Sequence, residues 1–379
     1  MPDGKRQMTE VLIIGGGVIG LSIARQLHKK GISKITILER GTIGAEASHA
    51  AAGMLAPNAE TDKLDDFFYL CHDSNKLYPK FAQELFEETD IDIELERSGT
   101  LYAAFADADV VEIRRRFDWQ KSAGLAVEYL NTESARKLEA FISPDVREAL
   151  FFPNDWQVEN RKLLAALQKY AALNQIEIIE NAEVTKLLSE NEKIIGAETK
   201  QKVFTAETIV LATGAWTSFI KADGFSMPKV KPMRGQMIAF QTAKRLFQRV
   251  IYSPRGYLVP RLDGRILVGA TVEDVGFDKR TTNAGINFLR ENALEIAPSL
   301  VNLDIAEKWA GLRPFAADGL PVLGAFPEVE NLFIATAHYR NGILLAPLTA
   351  EIMADAIVGN SASKYLEMFS PRRFQAAKV

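Results

Sequence analysis

Apolar and polar positions along the chain alternate between two periods, and the change of period marks out the elements. A short apolar run, Val11-Leu-Ile-Ile14, leads into Gly15-Gly-Gly17-Val18-Ile19-Gly20 and then a helical stretch; a second run, Ile35-Thr-Ile-Leu38, ends in Glu39. That order reads as strand, glycine turn, helix, strand and terminal acid. Residues 67–88 place Phe68, Leu77, Phe81 and Leu85 at three- and four-residue steps, which predicts a helix. Residues 91–105 alternate as a strand pair would, with Gly99 at the turn, and a helix is expected over 110–124. A helix over 161–174 precedes strands at 176–179 and 183–188 and a short hairpin at 193–199 and 202–205. The apolar run that starts at Thr208 and ends in Ala-Thr213-Gly214-Ala-Trp216 reads as a fully buried strand lying beside the first one. From 229 to 309 the pattern becomes alternating strands (236–241, 256–260, 265–271), as in an antiparallel sheet with one face free to roof a ligand. A buried strand at 331–335, a turn at 337–342 and a helix to about residue 358 close the chain.

The glycine turn carries the first chemical expectation. Gly15 permits a tight turn, Gly17 lets the backbone approach a pyrophosphate, and Gly20 lets the helix pack close on the sheet. The helix N-terminus then offers free N–H groups and the positive end of its dipole to phosphate. Glu39 stands near the spacing at which an acid meets an adenosine ribose. A dinucleotide site follows; the bland alternative is a tight turn that binds nothing. Residues 41–60 are rich in small side chains, among them Ser48, Ala51, Ala52 and Gly53, which suits backbone lying against a flat ligand or, alternatively, a small-residue helix start packed on the sheet.

Composition narrows the rest. The chain has 379 residues, 47% of them hydrophobic and 25% charged, a length that suggests two interleaved domains of ordinary globular make-up. A net charge of −4 carries no electrostatic footprint for nucleic acid, and the basic triplet Arg114-Arg115-Arg116 reads as a solvated helix face. Cys71 is the single cysteine, so internal disulfides and cysteine-rich metal sites are excluded, and a reducing cytoplasm is the expected compartment. The four histidines show no metal-ligand spacing, and no Gly-x-Ser-x-Gly elbow is present. Lys5 and Arg6 before the apolar stretch imitate a secretory signal, but the glycine fingerprint falls inside that stretch. No apolar run reaches the roughly 20 residues a membrane helix needs.

Six segments in order, Gly15–Gly20, Ala50-Ala-Ala-Gly-Met54-Leu55, Leu211-Ala-Thr-Gly214, Tyr257-Leu-Val-Pro-Arg261, Trp309-Ala-Gly-Leu-Arg313-Pro314 and His338-Tyr-Arg340-Asn-Gly342-Ile-Leu-Leu345, resemble the flavin-dependent D-amino-acid oxidase superfamily, and within it the glycine oxidases of the thiamin-pathway type. The resemblance implies an α/β fold: a discontinuous Rossmann-type FAD-binding domain (residues 8–80, 145–225 and 312–365) and a substrate domain on an antiparallel sheet (81–144 and 226–311). It implies FAD held without a covalent link, since the relatives that tether flavin use a cysteine in the C-terminal half. Cofactor contacts would come from Gly15, Gly17, Val18, Ile19, Gly20, Glu39, Arg40, Ser48, Ala51, Ala52, Gly53, Met54, Val184, Thr213, Gly214, Trp216, Arg313, His338, Arg340, Asn341, Gly342, Ile343 and Leu344. Arg313 becomes the carboxylate clamp, bidentate as a lysine could not be, with the Tyr257 hydroxyl beside it and Arg340 near substrate and flavin.

The backbone N–H groups of 341–344 would face the flavin pyrimidine. Hydride transfer from a free amine needs no general base, so no histidine is given a catalytic role and His338 is expected to be structural. Arg255, Val272 and Ala56 depart from the family pattern and are expected at the substrate pocket, where they would loosen a strict glycine preference. The resulting expectation is a homotetrameric, cytoplasmic oxidase that turns glycine, sarcosine or D-alanine and oxygen into a 2-oxo acid, ammonia and hydrogen peroxide, with the imine available to thiamin thiazole synthesis. A flavin dehydrogenase that reduces a quinone is the alternative, and a non-catalytic nucleotide-binding regulator is a third reading that fold alone leaves open.

Overall fold

The computed structural model describes residues 9–360 and 363–374. Lys5, Arg6 and the expected domain start at residue 8 lie outside them, as do residues 361 and 362.

Two eight-stranded sheets organise the described residues. In the first, Thr9–Ile14 pairs in parallel with Ile35–Leu38 on one side and Val203–Leu211 on the other, and Glu177–Ile179 and Leu332–Thr336 extend it outward, again in parallel. The run after Thr208 therefore does lie beside the first strand. Strands buried on both faces read as near-continuous apolar runs, which is why this sheet was visible in the pattern. One face is covered by the helices Val18–Lys29, Asp66–Thr89, Asn160–Leu173 and Gly342–Ile357, whose apolar sides merge with the sheet in one core cluster.

The second sheet runs in the order Ile305–Ala316, Val230–Gln241, Arg265–Gly269, Gly256–Pro260, Val250–Ser253, Thr100–Ala104, Glu148–Phe152 and Glu128–Asn131. All its pairings are antiparallel except that of Val250–Ser253 with Thr100–Ala104. The helix Asn283–Ile296 packs on one face. The other face carries Met237 and Tyr257 and meets Ala52 of the small-residue segment. The site forms where that face looks back toward the glycine fingerprint.

Several expectations change. Residues 91–99 form no strand beyond a single bridge from Glu96 to Gln157, because Asp90, Glu94 and Gly99 take left-handed backbone angles (φ 55°, 52° and 83°) that break an extended run. The second strand of the expected hairpin and the buried strand are one element, Val203–Leu211. The expected domain edges at 80/81 and 311/312 fall inside continuous elements, the helix Asp66–Thr89 and the strand Ile305–Ala316. Arg116 is not a solvated residue. It is buried, paired with Asp62, and donates to the carbonyls of Asn58, Ala59 and Thr61, because helix Asp107–Ser122 turns this position inward.

Candidate active site

The fingerprint turn has the shape its glycines require. Gly15 adopts φ +112°, and a Cβ there would strike the Ala212 carbonyl; a Cβ on Gly20 would strike the carbonyl of Gly15. The Glu39 carboxylate ties the turn to the second strand, accepting from Gly16 N–H at 2.8 Å and Gly41 N–H at 2.9 Å. Ser48 Oγ accepts from Val18 N–H at 3.0 Å, so the small-residue segment closes over the start of the helix.

These parts open onto a cleft of about 1140 Å³ of empty space, part of it solvent, at the carboxyl ends of the parallel strands. Its walls include Gly15, Gly17, Val18, Ile19, Glu39, Arg40, Ser48, Ala51, Val184, Thr213, Gly214, Trp216, His338, Arg340, Gly342 and Ile343. Arg40 lies over the Trp216 ring at 4.3 Å. The first N–H groups of helix Gly342–Ile357 have no intrahelical acceptor, and the carbonyls of Ile343 and Leu344 are held from behind by Tyr78 and Ser74. Glycines cleared for close approach, an acid at the end of the second strand and two helix N-termini fit an adenine dinucleotide carrying a flavin. Gly20 and Leu344 serve this cleft from behind it: neither lines it, and both are buried.

A second cavity, of about 670 Å³ of empty space, part of it solvent, adjoins the first and shares Ala47, Ala51, Tyr339, Arg340 and Ile343 with it. Ala52, Gly53, Met54 and Asn341 line it on the cofactor side, and Gly235, Met237, Tyr257 and Arg313 on the side of the antiparallel sheet. Arg313 comes from strand Ile305–Ala316, opposite Met233. Its Nη1 donates to the Thr271 carbonyl at 3.0 Å, and among the described residues it has no carboxylate partner. The room it occupies exists because position 235 is glycine: a Cβ there would fall well inside 3.0 Å of the guanidinium. Gly269 clears the Tyr257 ring in the same way. Burial pushes the Tyr257 hydroxyl pKa up, while Arg313 and Arg340 pull against that shift; the hydroxyl donates to Met237 Sδ at 3.4 Å.

Arg340 is present at the junction of both cavities but is not free. Nη2 pairs with Glu60 Oε1 at 3.0 Å and donates to the Tyr252 hydroxyl at 3.0 Å. Tyr252 stacks between Tyr102 and Tyr257, with ring centroids 5.2 and 6.0 Å away. His338 is buried with Nε2 3.1 Å from Thr349 Oγ1, and burial brings its pKa down to about 3, so it stays neutral as a structural residue.

Three expected pocket residues are placed elsewhere. Arg255 sits in the turn before Gly256–Pro260, where strand alternation with Tyr257 does not apply, and its guanidinium is drawn to Glu295 at 2.7 Å and Asp109 at 3.5 Å. Val272 lies in the segment after Arg265–Gly269 with its side chain half exposed. Ala56 is buried at the start of the turn Pro57–Glu60, as its N-cap. None of the three lines either cavity. Conversely, Glu60, Tyr252 and Gly235 escaped the sequence reading. A glycine inside the strand Val230–Gln241 was the one signal on hand, since such a residue often marks a close approach.

The sequence profile of the family described as "FAD dependent oxidoreductase" matches residues 10–356. The glycine oxidase of Geobacillus kaustophilus is 34% identical over 367 residues, covering 96% of this chain and 97% of that one. The bifunctional protein ThiO/ThiG of Trichormus variabilis is 37% identical over 371 residues, and the chain spans 55% of its length. The crystal structure of the Geobacillus kaustophilus glycine oxidase superposes with a TM-score of 0.92, covering 97% of this chain and 99% of that one at 34% identity. Among the described residues no group of histidines, cysteines or acids could hold a metal, and no helix is long and apolar enough to cross a membrane.

Proposed function

Because the chain belongs to the family of FAD dependent oxidoreductases that includes the glycine oxidases, we propose that it oxidises small amines carrying one carboxylate: glycine, with sarcosine and D-alanine as further substrates. The substrate, oxygen and water would give a 2-oxo acid, ammonia or the N-alkyl amine, and hydrogen peroxide. The enzyme is FAD-dependent, and bound FAD supplies the hydride acceptor that side chains lack.

The observation that carries this reading is Arg313. A half-buried guanidinium facing a cavity with no protein carboxylate beside it is a ready partner for an external one. In this role Arg313 holds the carboxylate in two bonds and fixes both its position and its rotation. The Tyr257 hydroxyl supplies a third contact, leaving Met237 to do so. With the carboxylate anchored there, the amine-bearing carbon would lie toward Ala52 and Gly53, where a methyl group and a bare backbone leave room to approach the adjoining cofactor cleft. Positioning of this kind brings reacting atoms to about 3–3.5 Å.

Glu60, the carboxylate in the cavity wall, is engaged by Arg340, and His338 is neutral and bonded to Thr349. The cavity therefore supports a substrate that arrives as the free amine and needs no proton removed by the protein. Non-covalent flavin is supported by the burial of Cys71, the chain's one cysteine, within helix Asp66–Thr89. The ThiO/ThiG relative supports a role in which the imine product feeds thiamin thiazole synthesis.

The test is to mix the purified holoenzyme with glycine, sarcosine and D-alanine in air and titrate peroxide. Peroxide equal to oxygen consumed is expected. Flavin reduction that yields no peroxide but reduces an added quinone would overturn the assignment of oxygen, and absence of reduction by all three amines would overturn the substrate class.

A further inference from the structure

The second cavity contains three charged side chains in its wall: Arg313, Arg340 and Glu60. Two of them cancel. Glu60 Oε1 and Arg340 Nη2 are 3.0 Å apart, with side chains only 10% and 28% exposed, so water screens the pair weakly. Glu60 is also held where it stands. It closes the one-turn helix Pro57–Glu60, whose N–H groups at Asn58 and Ala59 donate to the buried Asp155 carboxylate at 3.1 and 2.8 Å. The carbonyls at the other end of the turn are taken by Arg116, and Gln120 Nε2 donates to the Asn58 carbonyl at 2.8 Å. The backbone that carries Glu60 is thus fixed at both ends of its turn, and its carboxylate is held by Arg340.

We propose that Glu60 sets the charge selectivity of the substrate cavity: by neutralising Arg340 it leaves Arg313 as the one uncompensated cation among the described residues of the wall, so that amines with a single carboxylate are accepted and N-carboxymethyl amino acids, which bear two, are rejected. This rests on the reading of Arg313 as the carboxylate clamp. With Glu60 in place a second carboxylate meets a guanidinium already satisfied and a like charge beside it; with the Glu60 charge removed, Arg340 becomes a second anion site. Discrimination here is built as much from repulsion of the wrong ligand as from attraction of the right one.

Two ligands that cannot be oxidised at nitrogen test this on the holoenzyme. Methoxyacetate mimics an N-methyl amine acid with one carboxylate, and oxydiacetate mimics its N-carboxymethyl counterpart with two. Both are titrated by their perturbation of the flavin spectrum and by competition against sarcosine. In the wild type, oxydiacetate should bind at least tenfold more weakly than methoxyacetate. Glu60→Gln should shrink that ratio at least tenfold, and Glu60→Asp, which keeps the charge, should retain it. A wild type that binds both ligands equally overturns the proposal without any variant, as does a ratio that Glu60→Gln leaves within twofold. If neither ligand binds to or competes with substrate in the wild type, the carboxylate clamp itself is wrong and the proposal falls with it.

Discussion

Gly235→Ala adds one methyl group at a point where the geometry leaves no room for it. The new Cβ would lie well under 3.0 Å from the Nη1, Nη2 and Cζ atoms of Arg313, against 3.4 Å for ordinary contact. The guanidinium must therefore withdraw by on the order of 1 Å. It is the far end of a flexible side chain held by the Thr271 carbonyl and the Tyr257 hydroxyl, with no carboxylate partner among the described residues, so withdrawal disturbs the fold little. Overpacking costs about 1 kcal/mol at the low end of its range, and replacing a strand glycine by alanine returns about 0.5–1 kcal/mol. Stability should stay close to that of the wild type.

The clamp, however, is no longer where the carboxylate must sit, and a misplacement of about 1 Å lowers rate by roughly a hundredfold, or about 2.7 kcal/mol in activation free energy. The assay is steady-state kinetics with glycine, alongside flavin content and thermal midpoint. Normal flavin, an unchanged midpoint and kcat/KM reduced about a hundredfold are expected. A folded, flavin-loaded variant with kcat/KM within twofold of wild type would refute the placement of Arg313.

Acid precipitation of the yellow protein should leave FAD in the supernatant; flavin that stays with the pellet would mean a covalent link that Cys71, buried in its helix, cannot explain. His338, with its pKa lowered to about 3 by burial against 6.5 for the free side chain, makes the unfolded state bind the proton first, so stability present above about pH 6.5 is lost as pH falls toward 3. Between pH 7 and 5 this contributes a loss of about 2 kcal/mol, which His338→Asn should remove in equilibrium unfolding; equal losses in both proteins would contradict a neutral buried ring. Arg255→His and Val272→Met should leave the glycine-to-sarcosine ratio of kcat/KM within twofold, since neither side chain reaches the cavity; a shift of tenfold would place them at it.

What could be read in the chain was local. The fingerprint, its strands and its helix were legible because each step depends on neighbours within a few residues: a glycine that alone fits φ +112°, an apolar run that alone suits a strand buried on both faces. Tyr257 and Arg313 were reached through the resemblance, and the structure brings both to one cavity. The Glu60–Arg340 pair was invisible because its members are 280 positions apart, and nothing in residues 41–60 distinguishes Glu60 from Glu46. Arg255 was misplaced for a related reason. Its departure from the family pattern put it at the pocket, but it lies in the turn that precedes the strand Gly256–Pro260, and a distant carboxylate on helix Asn283–Ile296 decides where the guanidinium goes. Arg116 was misread likewise, since its partners lie in a segment more than fifty positions earlier.

The central claim is that Arg313 seats the carboxylate of a small amine in the cavity beside bound FAD, and anaerobic mixing tests it most directly. Wild-type holoenzyme and Arg313→Ala are each mixed with glycine without oxygen, and bleaching of the flavin is followed against glycine concentration. Truncating one partner of a buried charged pair costs about 2–5 kcal/mol. The variant should therefore keep its flavin spectrum but need tens- to thousands-fold more glycine for half-maximal bleaching. Equal glycine dependence in the two proteins would contradict the claim.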